Sequence, residues 1–439
     1  MAVLPTALLG GWHAVLRRPK NRAALLAFQS RRLRQIVQHA YQRVPYYREV
    51  FDSVGLKPED IRGVDGLPKI PLSSRADIQS LAPEQICAKG LDPDSLLVRR
   101  TSGSSGAPLT IRRQRWEERL LQVLRLRYTA DHGPGWRSQR AEIGYSAGRT
   151  LWDTDSNPPL HQRLGFSRRF VVGWETPKDE LIDRLASTRT EILVGAPSVL
   201  SWKADELTNA DRERLHLRHV ITGGETLTDD VRERLEHGWG APVYDNYGSH
   251  EFVFIGNQRL DSDGYRICGE SLIVEVLRDG KPVGPGEEGE LVGTALHSFA
   301  MPFLRYRLGD LVRVGRDECP GDVSVRTLSR ISGRTMDRFL LPGGRVVHPY
   351  KIANVLRDEE LWVRRFQILQ PEREQFHIRV VAHDRPSPER LAEVARRIEH
   401  PFAGSVSVHF QLVEDLPPTT GGKFHPYVSY ERLHGGEIE

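Results

Sequence analysis

Cysteine, lysine and long apolar runs are scarce in this 439-residue sequence, and each shortage excludes something. The three cysteines, Cys87, Cys268 and Cys319, stand far apart. They make neither a disulfide framework nor a C-x-x-C metal pair, so a reducing, cytoplasmic setting is expected. No apolar run approaches the roughly 18 residues of a membrane-spanning helix, which argues against integral membrane association. The opening stretch from Met1 to Trp12 is mildly apolar but has no basic segment ahead of it. It makes a poor signal peptide, and the mature chain is expected to begin near Met1. Charge of one sign is also lacking: 62 basic residues face 58 acidic ones, a net charge of +4. That balance is unlike a nucleic-acid footprint. Only nine of the 62 basic residues are lysine, which makes the setting of each one informative.

What is present reads as an ordinary globular chain, 39% apolar and 27% charged, long enough for two or three domains. Residues 22–53 have Leu25, Leu33, Ile36 and Val37 at helical spacing, and Val44-Pro45-Tyr46-Tyr47 interrupts that helix. Arg31-Arg32-Leu33-Arg34 reads as a solvated helix face. From about 97 to 300, strand-like runs (191–194, 219–222, 243–244) alternate with helical stretches at 115–129, 177–187, 198–208 and 228–237. This alternation predicts an α/β architecture with strands buried between helices. From Gly269 to Val314 short strands with Gly/Pro turns predict a β-rich subdomain. After Gly333 a smaller α+β unit follows, with strands at 366–369, 377–381 and 406–410 and a helix at 387–399. Residues 431–439 read as a polar, mobile tail.

The strongest local signal is Thr101-Ser102-Gly103-Ser104-Ser105-Gly106-Ala107-Pro108, preceded by strand-like Leu96-Leu97-Val98. Glycines permit a tight turn that presents backbone N–H groups to an anion, and hydroxyls add donors. The Gly-Lys-Ser/Thr ending of a Walker loop is missing, so this is a different phosphate loop or a flexible connector. Arg99, Arg100, Arg112, Arg113 and Arg115 flank it, as a basic collar for a triphosphate or as solvated charges.

This loop resembles the Thr-Ser-Gly-Ser/Thr-Thr/Ser-Gly-x-Pro signature of adenylate-forming enzymes, the acyl-CoA synthetase and luciferase superfamily. Further segments follow in that family's order: Gly223-Gly224-Glu225, Tyr247-Gly248-Ser249-His250-Glu251, Tyr306-Arg307-Leu308-Gly309-Asp310, Gly333-Arg334-Thr335-Met336-Asp337 and Pro418-Thr419-Thr420-Gly421-Gly422-Lys423. The N-terminal helix with Val44-Pro45-Tyr46-Tyr47, the stretch from Ala300 to Arg307 and the stretch from Leu341 to Pro349 are similar to the phenylacetate–CoA ligase branch and its capsule-biosynthesis relatives. The resemblance implies a large adenylation domain, residues 1–333, and a small mobile lid, residues 334–439.

The resemblance also implies ATP- and Mg²⁺-dependent activation of a small carboxylic acid, aryl by analogy, followed by transfer to a thiol such as coenzyme A or a carrier protein. Thr101, Ser102, Gly103, Ser104, Ser105 and Gly106 would hold the β- and γ-phosphates. Gly223, Gly224, Glu225, Asp245, Asn246 and Tyr247 would frame the adenine. Asp310 would accept the ribose hydroxyls and Arg334 would reach ribose or phosphate. Glu251 would help to hold Mg²⁺, and Lys423 would bridge substrate carboxylate and nucleotide. The acid pocket would be bounded by Tyr145, Ala196, Gly223, Tyr247, Gly248, Ser249 and His250. Trp136 and Trp152 read as core packing rather than as a wall beside Tyr145. The Gly333–Asp337 turn would be a hinge, with Gly343-Gly344 near the thiol.

The chain departs from the family pattern in two places. His250 stands where a hydroxyl residue is usual, and Met336 replaces an aspartate, with Asp337 one place later. The Cys/His zinc element of some relatives is reduced to Cys319, with Arg266 where the pattern leads one to expect a histidine, so no zinc is expected. Three readings stay open at this point: an acid–thiol ligase, an adenylating enzyme with an amine, carrier-protein or hydroxyl acceptor, and a nucleotide-binding homologue without turnover. A homodimer is also left open.

Overall fold

The structure is a computed structural model. It describes residues 19–100, 109–130, 138–144, 168–173, 176–225, 227, 229–259, 262–315, 327–333, 339–347, 349–359, 361–416 and 427–434. These residues fall into two compact units, one ending at Gly333 and the other beginning at Phe339.

The larger unit begins with the helix Arg22–Arg43, whose N-cap Asn21 accepts the Ala24 N–H at 2.9 Å. Val44 is extended and Pro45 opens the next helix, Pro45–Ser53, so the expected break lies at the proline. The helix buries Leu25, Leu33, Ile36 and Val37, as their spacing predicts. Arg32 overturns the expectation of a solvated face: it is fully buried. Its guanidinium donates to Gln35 Oε1 (2.8 Å) and to the Leu296 carbonyl (3.1 Å), and it meets His297 Nδ1 at 3.0 Å. The helix docks on the sheet along that side, and burial lowers the Arg32 pKa to about 10.

A twelve-stranded sheet forms the body of this unit. In spatial order it runs Arg169–Gly173, Arg140–Gly144, Ile192–Gly195, His219–Gly223 and Val243–Tyr247, all parallel. The sheet then continues antiparallel through Gly256–Arg259, Ser262–Ile267, Thr327–Gly333, Tyr306–Val314, Glu288–Ala295, Leu272–Arg278 and Lys281–Pro282. The expected β-rich part of the large domain is this antiparallel half of the sheet. It begins near Gly256 and extends the same hydrogen-bonded sheet, because Tyr247 and Asn246 pair with Gly256 and Asn257. Helices Lys178–Ser187, Pro197–Asp205 and Asp229–Trp239 cover the parallel strands, packing Leu181, Leu185, Leu200 and Trp239 against Ile143, Leu193, Val220 and Val243.

Among the described residues the strands Leu97–Arg100 and Thr110–Arg113 pair with each other, as a two-stranded hairpin outside the large sheet. Helix Arg115–Ala130 follows, and its fully buried Glu117 ties it to the segment that links strands Glu288–Ala295 and Tyr306–Val314. The carboxylate accepts N–H bonds from Gln114 (2.7 Å), Phe299 (2.6 Å) and Ala300 (2.8 Å). Burial outweighs these donors and raises the Glu117 pKa from 4.5 to about 7. A raised acid pKa favours the protonated folded form. The contribution is thus complete below about pH 4.5 and lost as pH rises through about 7. Compared with a Glu117→Gln variant, the wild type is expected to lose thermal stability across that window. Parallel melting-temperature curves for the two proteins would contradict this.

The smaller unit has a four-stranded sheet in the order Ser407–Leu412, Gln375–Ala382, Val363–Glu372 and Tyr427–Val428. Helices Tyr350–Arg357 and Pro388–Glu399 close its core around Ile352, Leu356, Ile368, Phe376, Val394 and Ile398. Buried Glu359 binds Arg390 (2.8 Å), Arg397 (2.7 Å) and the Trp362 indole N–H (2.7 Å). The expected polar tail begins as a helical turn, Tyr430–His434, with the Tyr430 and His434 rings stacked 4.3 Å apart.

Candidate active site

In an open α/β sheet, ligands collect at the carboxyl ends of parallel strands, where loops leave the sheet. The register places Gly195 beside Thr222 and Gly223 beside Asn246, so the segments 195–198, 223–225 and 245–251 leave one edge of the sheet. Gly223 permits close strand approach, since a side chain there would press on the Asn246 carbonyl at 3.0 Å. Gly224 has φ +84°, which favours glycine. Ala196 is the extended residue before helix Pro197–Asp205.

The strand Val243–Tyr247 aims its side chains alternately to its two faces. The buried Asp245 carboxylate accepts the Thr222 and Tyr265 hydroxyls, each at 2.7 Å. Burial lifts its pKa to about 6, against the pull of these two donors. Tyr247 donates its hydroxyl to Asp310 Oδ2 at 2.6 Å. Two segments separated by more than sixty residues thus meet at one carboxylate. Asn246 Oδ1 is buried and has no hydrogen-bond donor among the described residues. Glu225 is half-buried at the same edge.

After Tyr247 the chain makes a tight turn. The Val253 N–H returns to the Ser249 carbonyl at 2.7 Å and the Phe252 N–H to Ser249 Oγ at 3.2 Å. Gly248 faces the Val253 carbonyl too closely for any side chain. Val253 itself has φ +63°, a β-branched residue in the left-handed region that costs about 1–3 kcal/mol. The turn buries Glu251 and leaves His250 exposed. The Tyr306 hydroxyl lies 3.4 Å from Glu251 Oε1. One buried carboxylate suits Mg²⁺, which takes one or two protein carboxylates and completes its shell with phosphate oxygens and water. Among the described residues no group of three or more His, Cys, Asp or Glu is placed to hold a metal, and such a Mg²⁺ site needs none.

The structure therefore brings together Gly223, Gly224, Glu225, Asp245, Asn246, Tyr247, Gly248, Ser249, His250, Glu251 and Asp310, with Ala196 on the neighbouring strand end. Thr101, Ser102, Gly103, Ser104, Ser105, Gly106, Tyr145, Arg334 and Lys423 lie outside the described residues, as do Trp136, Trp152, Cys319 and Met336. The sequence pattern did not single out Thr222, Tyr265 or Arg113 as site residues. Arg113 counted only as part of the basic collar, yet it is buried and donates to the carbonyls of His250 and Glu251. Among the described residues no helix is long and apolar enough to cross a membrane.

Comparisons with known proteins show what this chain is similar to. Residues 339–429 match the family model described as the CapK C-terminal domain. The chain is 29% identical over 348 residues to a phenylacetate–coenzyme A ligase of Thermus thermophilus, covering 76% of each chain. It is 27% identical over 351 residues to a phenylacetate–coenzyme A ligase of Escherichia coli, covering 77% of each. Protein CapK of Staphylococcus aureus is 21% identical over 409 residues, covering 91% of this chain and 88% of CapK. A 2-hydroxyisobutyryl-CoA ligase, solved with 2-HIB-AMP and CoA, shares the fold with a TM-score of 0.63 at 20% identity, over 95% of this chain and 91% of that one. The α/β fold expected from the motifs is thus the fold observed.

Proposed function

We propose that this chain, which is similar to phenylacetate–coenzyme A ligases and to CapK, is an adenylate-forming ligase that activates a carboxylic acid, aryl by preference, with ATP and passes the acyl group to the thiol of coenzyme A. The observation that carries this reading is the convergence of residues 223–225 and 245–251 with Asp310 at the carboxyl edge of the parallel strands. In the first half-reaction a substrate carboxylate oxygen bonds to the α-phosphorus and the bond to pyrophosphate breaks. This chemistry needs alignment and charge neutralisation more than a proton shuttle.

In this reading Gly223, Gly224, Glu225, Asn246 and Tyr247 frame the adenine, and buried Asp245 stiffens the strand beneath it through Thr222 and Tyr265. Asp310, oriented by Tyr247, accepts the ribose hydroxyls. The 101–106 loop and Arg334 bind phosphate and ribose, and Tyr145, Ala196, Gly248, Ser249 and His250 border the acid. Glu251 would hold Mg²⁺, which when bound neutralises phosphate charge. Residues 334–439 act as the lid that brings Lys423 to the reacting groups.

Removing Asp310 should cost the charged hydrogen bonds to ribose. Asp310→Ala is expected to raise KM for ATP by about 10- to 100-fold, from roughly 1.5–3 kcal/mol of charge-assisted hydrogen bonding. Steady-state kinetics with varied ATP measure it, and an unchanged KM would remove Asp310 from the nucleotide site. The test of the function itself is acid-dependent exchange of labelled pyrophosphate into ATP, run across aryl, aliphatic and amino acids. ATP binding without exchange on any acid would sink the enzyme reading.

A second reading, an acceptor other than coenzyme A, draws on one observation: the smaller unit matches the CapK C-terminal domain. Thioester formation with coenzyme A after adenylation separates the two. Release of free acyl-adenylate without thioester would favour the second.

A further inference from the structure

Arg113 sits at the end of Thr110–Arg113, the outgoing strand of the two-stranded hairpin, and pairs with Leu97 at the start of the incoming strand. In sequence this hairpin brackets the Ser/Gly-rich phosphate loop. An arginine ending such a strand would ordinarily be solvated, but this side chain is only 2% exposed. Its Nη2 donates to two successive carbonyl oxygens, His250 at 2.5 Å and Glu251 at 2.8 Å. Its Nη1 faces Glu118 Oε2 at 3.5 Å, from the first turn of the following helix. The side chain touches the backbone of the Glu251 turn, while the Glu251 carboxylate meets Tyr306.

We propose that Arg113 is a positioning residue for the nucleotide-bound Mg²⁺: by clamping the His250 and Glu251 carbonyls it fixes the direction in which the Glu251 carboxylate is presented, and it couples that direction to the hairpin that carries the phosphate loop. The inference rests on the proposed adenylation site and deepens it.

Three physical points support the assignment. A planar guanidinium with several fixed donors holds two acceptors in one arrangement, which a flexible ammonium does poorly. Two adjacent carbonyls turned to one cation define the backbone of the turn, whose Val253 is already held at a left-handed φ of +63°. Groups that orient a metal's carboxylate tune its affinity without touching the metal, and their loss commonly costs 10- to 100-fold. The cation's charge is offset by Glu118, so the clamp does not need the nucleotide in order to form.

The test is titration calorimetry of ATP binding to the full-length protein, with and without Mg²⁺, for wild type, Arg113→Lys and Glu118→Gln. For Arg113→Lys the enhancement of ATP binding by Mg²⁺ is expected to fall about tenfold, with Mg²⁺-free ATP affinity unchanged. Glu118→Gln should shift it in the same direction by less. Adding Arg113→Lys to a Glu251→Gln protein should produce no further loss of Mg²⁺ enhancement, because the carboxylate it would orient is gone. A merely structural arginine would lower the melting temperature and leave the Mg²⁺ ratio unchanged, and that result overturns the proposal. Equal losses in the two backgrounds also overturn it. Should Arg113→Lys fail to fold, Glu118→Gln carries the decision, and an unchanged ratio in that variant counts against the clamp. Wild type that binds Mg²⁺-ATP but exchanges no pyrophosphate defeats the adenylation reading and leaves the clamp to be judged by the variants. Wild type whose ATP binding ignores Mg²⁺ defeats the clamp alone.

Discussion

Lys423→Ala is expected to slow acyl-adenylate formation by about 10²- to 10³-fold, the usual cost of removing one preorganised charge-stabilising donor, and to spare thioester formation from a supplied acyl-adenylate. As the carboxylate approaches the α-phosphorus two negative groups are driven together, and an ammonium on a long flexible stem can sit between them. The prediction comes from sequence. Lysines are rare throughout, Lys423 is the only one after Lys351, and it follows Gly421-Gly422 within a segment that resembles the family's lysine loop. Pyrophosphate exchange measures the first half-reaction, and thioester release from synthetic acyl-adenylate measures the second. Equal losses in both would mean that Lys423 supports the fold or the thiol rather than adenylation.

The second large effect concerns stability. Arg305→Ala is expected to destabilise the protein by about 3–5 kcal/mol, the cost of leaving a buried ion pair with one partner. Arg305 is buried and meets Glu275 with two parallel bonds of 3.0 Å, while its Nη1 donates to the carbonyls of Pro68 (3.1 Å) and Ile70 (2.8 Å). Its own carbonyl accepts the Ser73 N–H at 3.0 Å. One residue thus fastens the segment 68–73 to the sheet. Alanine would leave Glu275 uncompensated and two carbonyls without their donor. Denaturant unfolding checks the size of the effect. A loss below about 1 kcal/mol would put the pair in the class of solvent-screened surface bridges. The double replacement Arg305→Met with Glu275→Gln should recover much of the loss, because it removes the stranded charge.

The elements were legible because apolar periodicity is a local property. The Pro45 break, the helix at 115–130 and the alternation of strands and helices through 247 all follow from patterns within a dozen residues. The extent of the large sheet was less so. Nothing near Gly256 announces that the next strands pair onto the parallel half rather than forming a body of their own, since that depends on Asn246 and Tyr247 accepting antiparallel neighbours. The candidate site divides in the same way. Gly223, Tyr247, Glu251 and Asp310 stand in motifs, but the hydrogen bond from Tyr247 to Asp310 joins segments that only the fold brings together.

Charged residues were the consistent blind spot. The run holding Arg32 reads as solvated, Arg113 counts only among the charges flanking the loop and Glu117 carries no local signal, because Arg and Glu are seldom fully buried unless paired. Each is buried against partners far along the chain: Arg32 on His297, 265 residues away, Arg113 on His250, 137 away, and Glu117 on Phe299, 182 away. By itself the sequence determined the order of elements, the family's motifs and the rarity that singles out Lys423, for these are written in local spacing and composition. The tertiary structure alone decided which charges leave water and whose backbone they hold. A buried charge is tolerated only where distant carbonyls, amides or counter-charges converge on it, and strand register, not local pattern, brings them there.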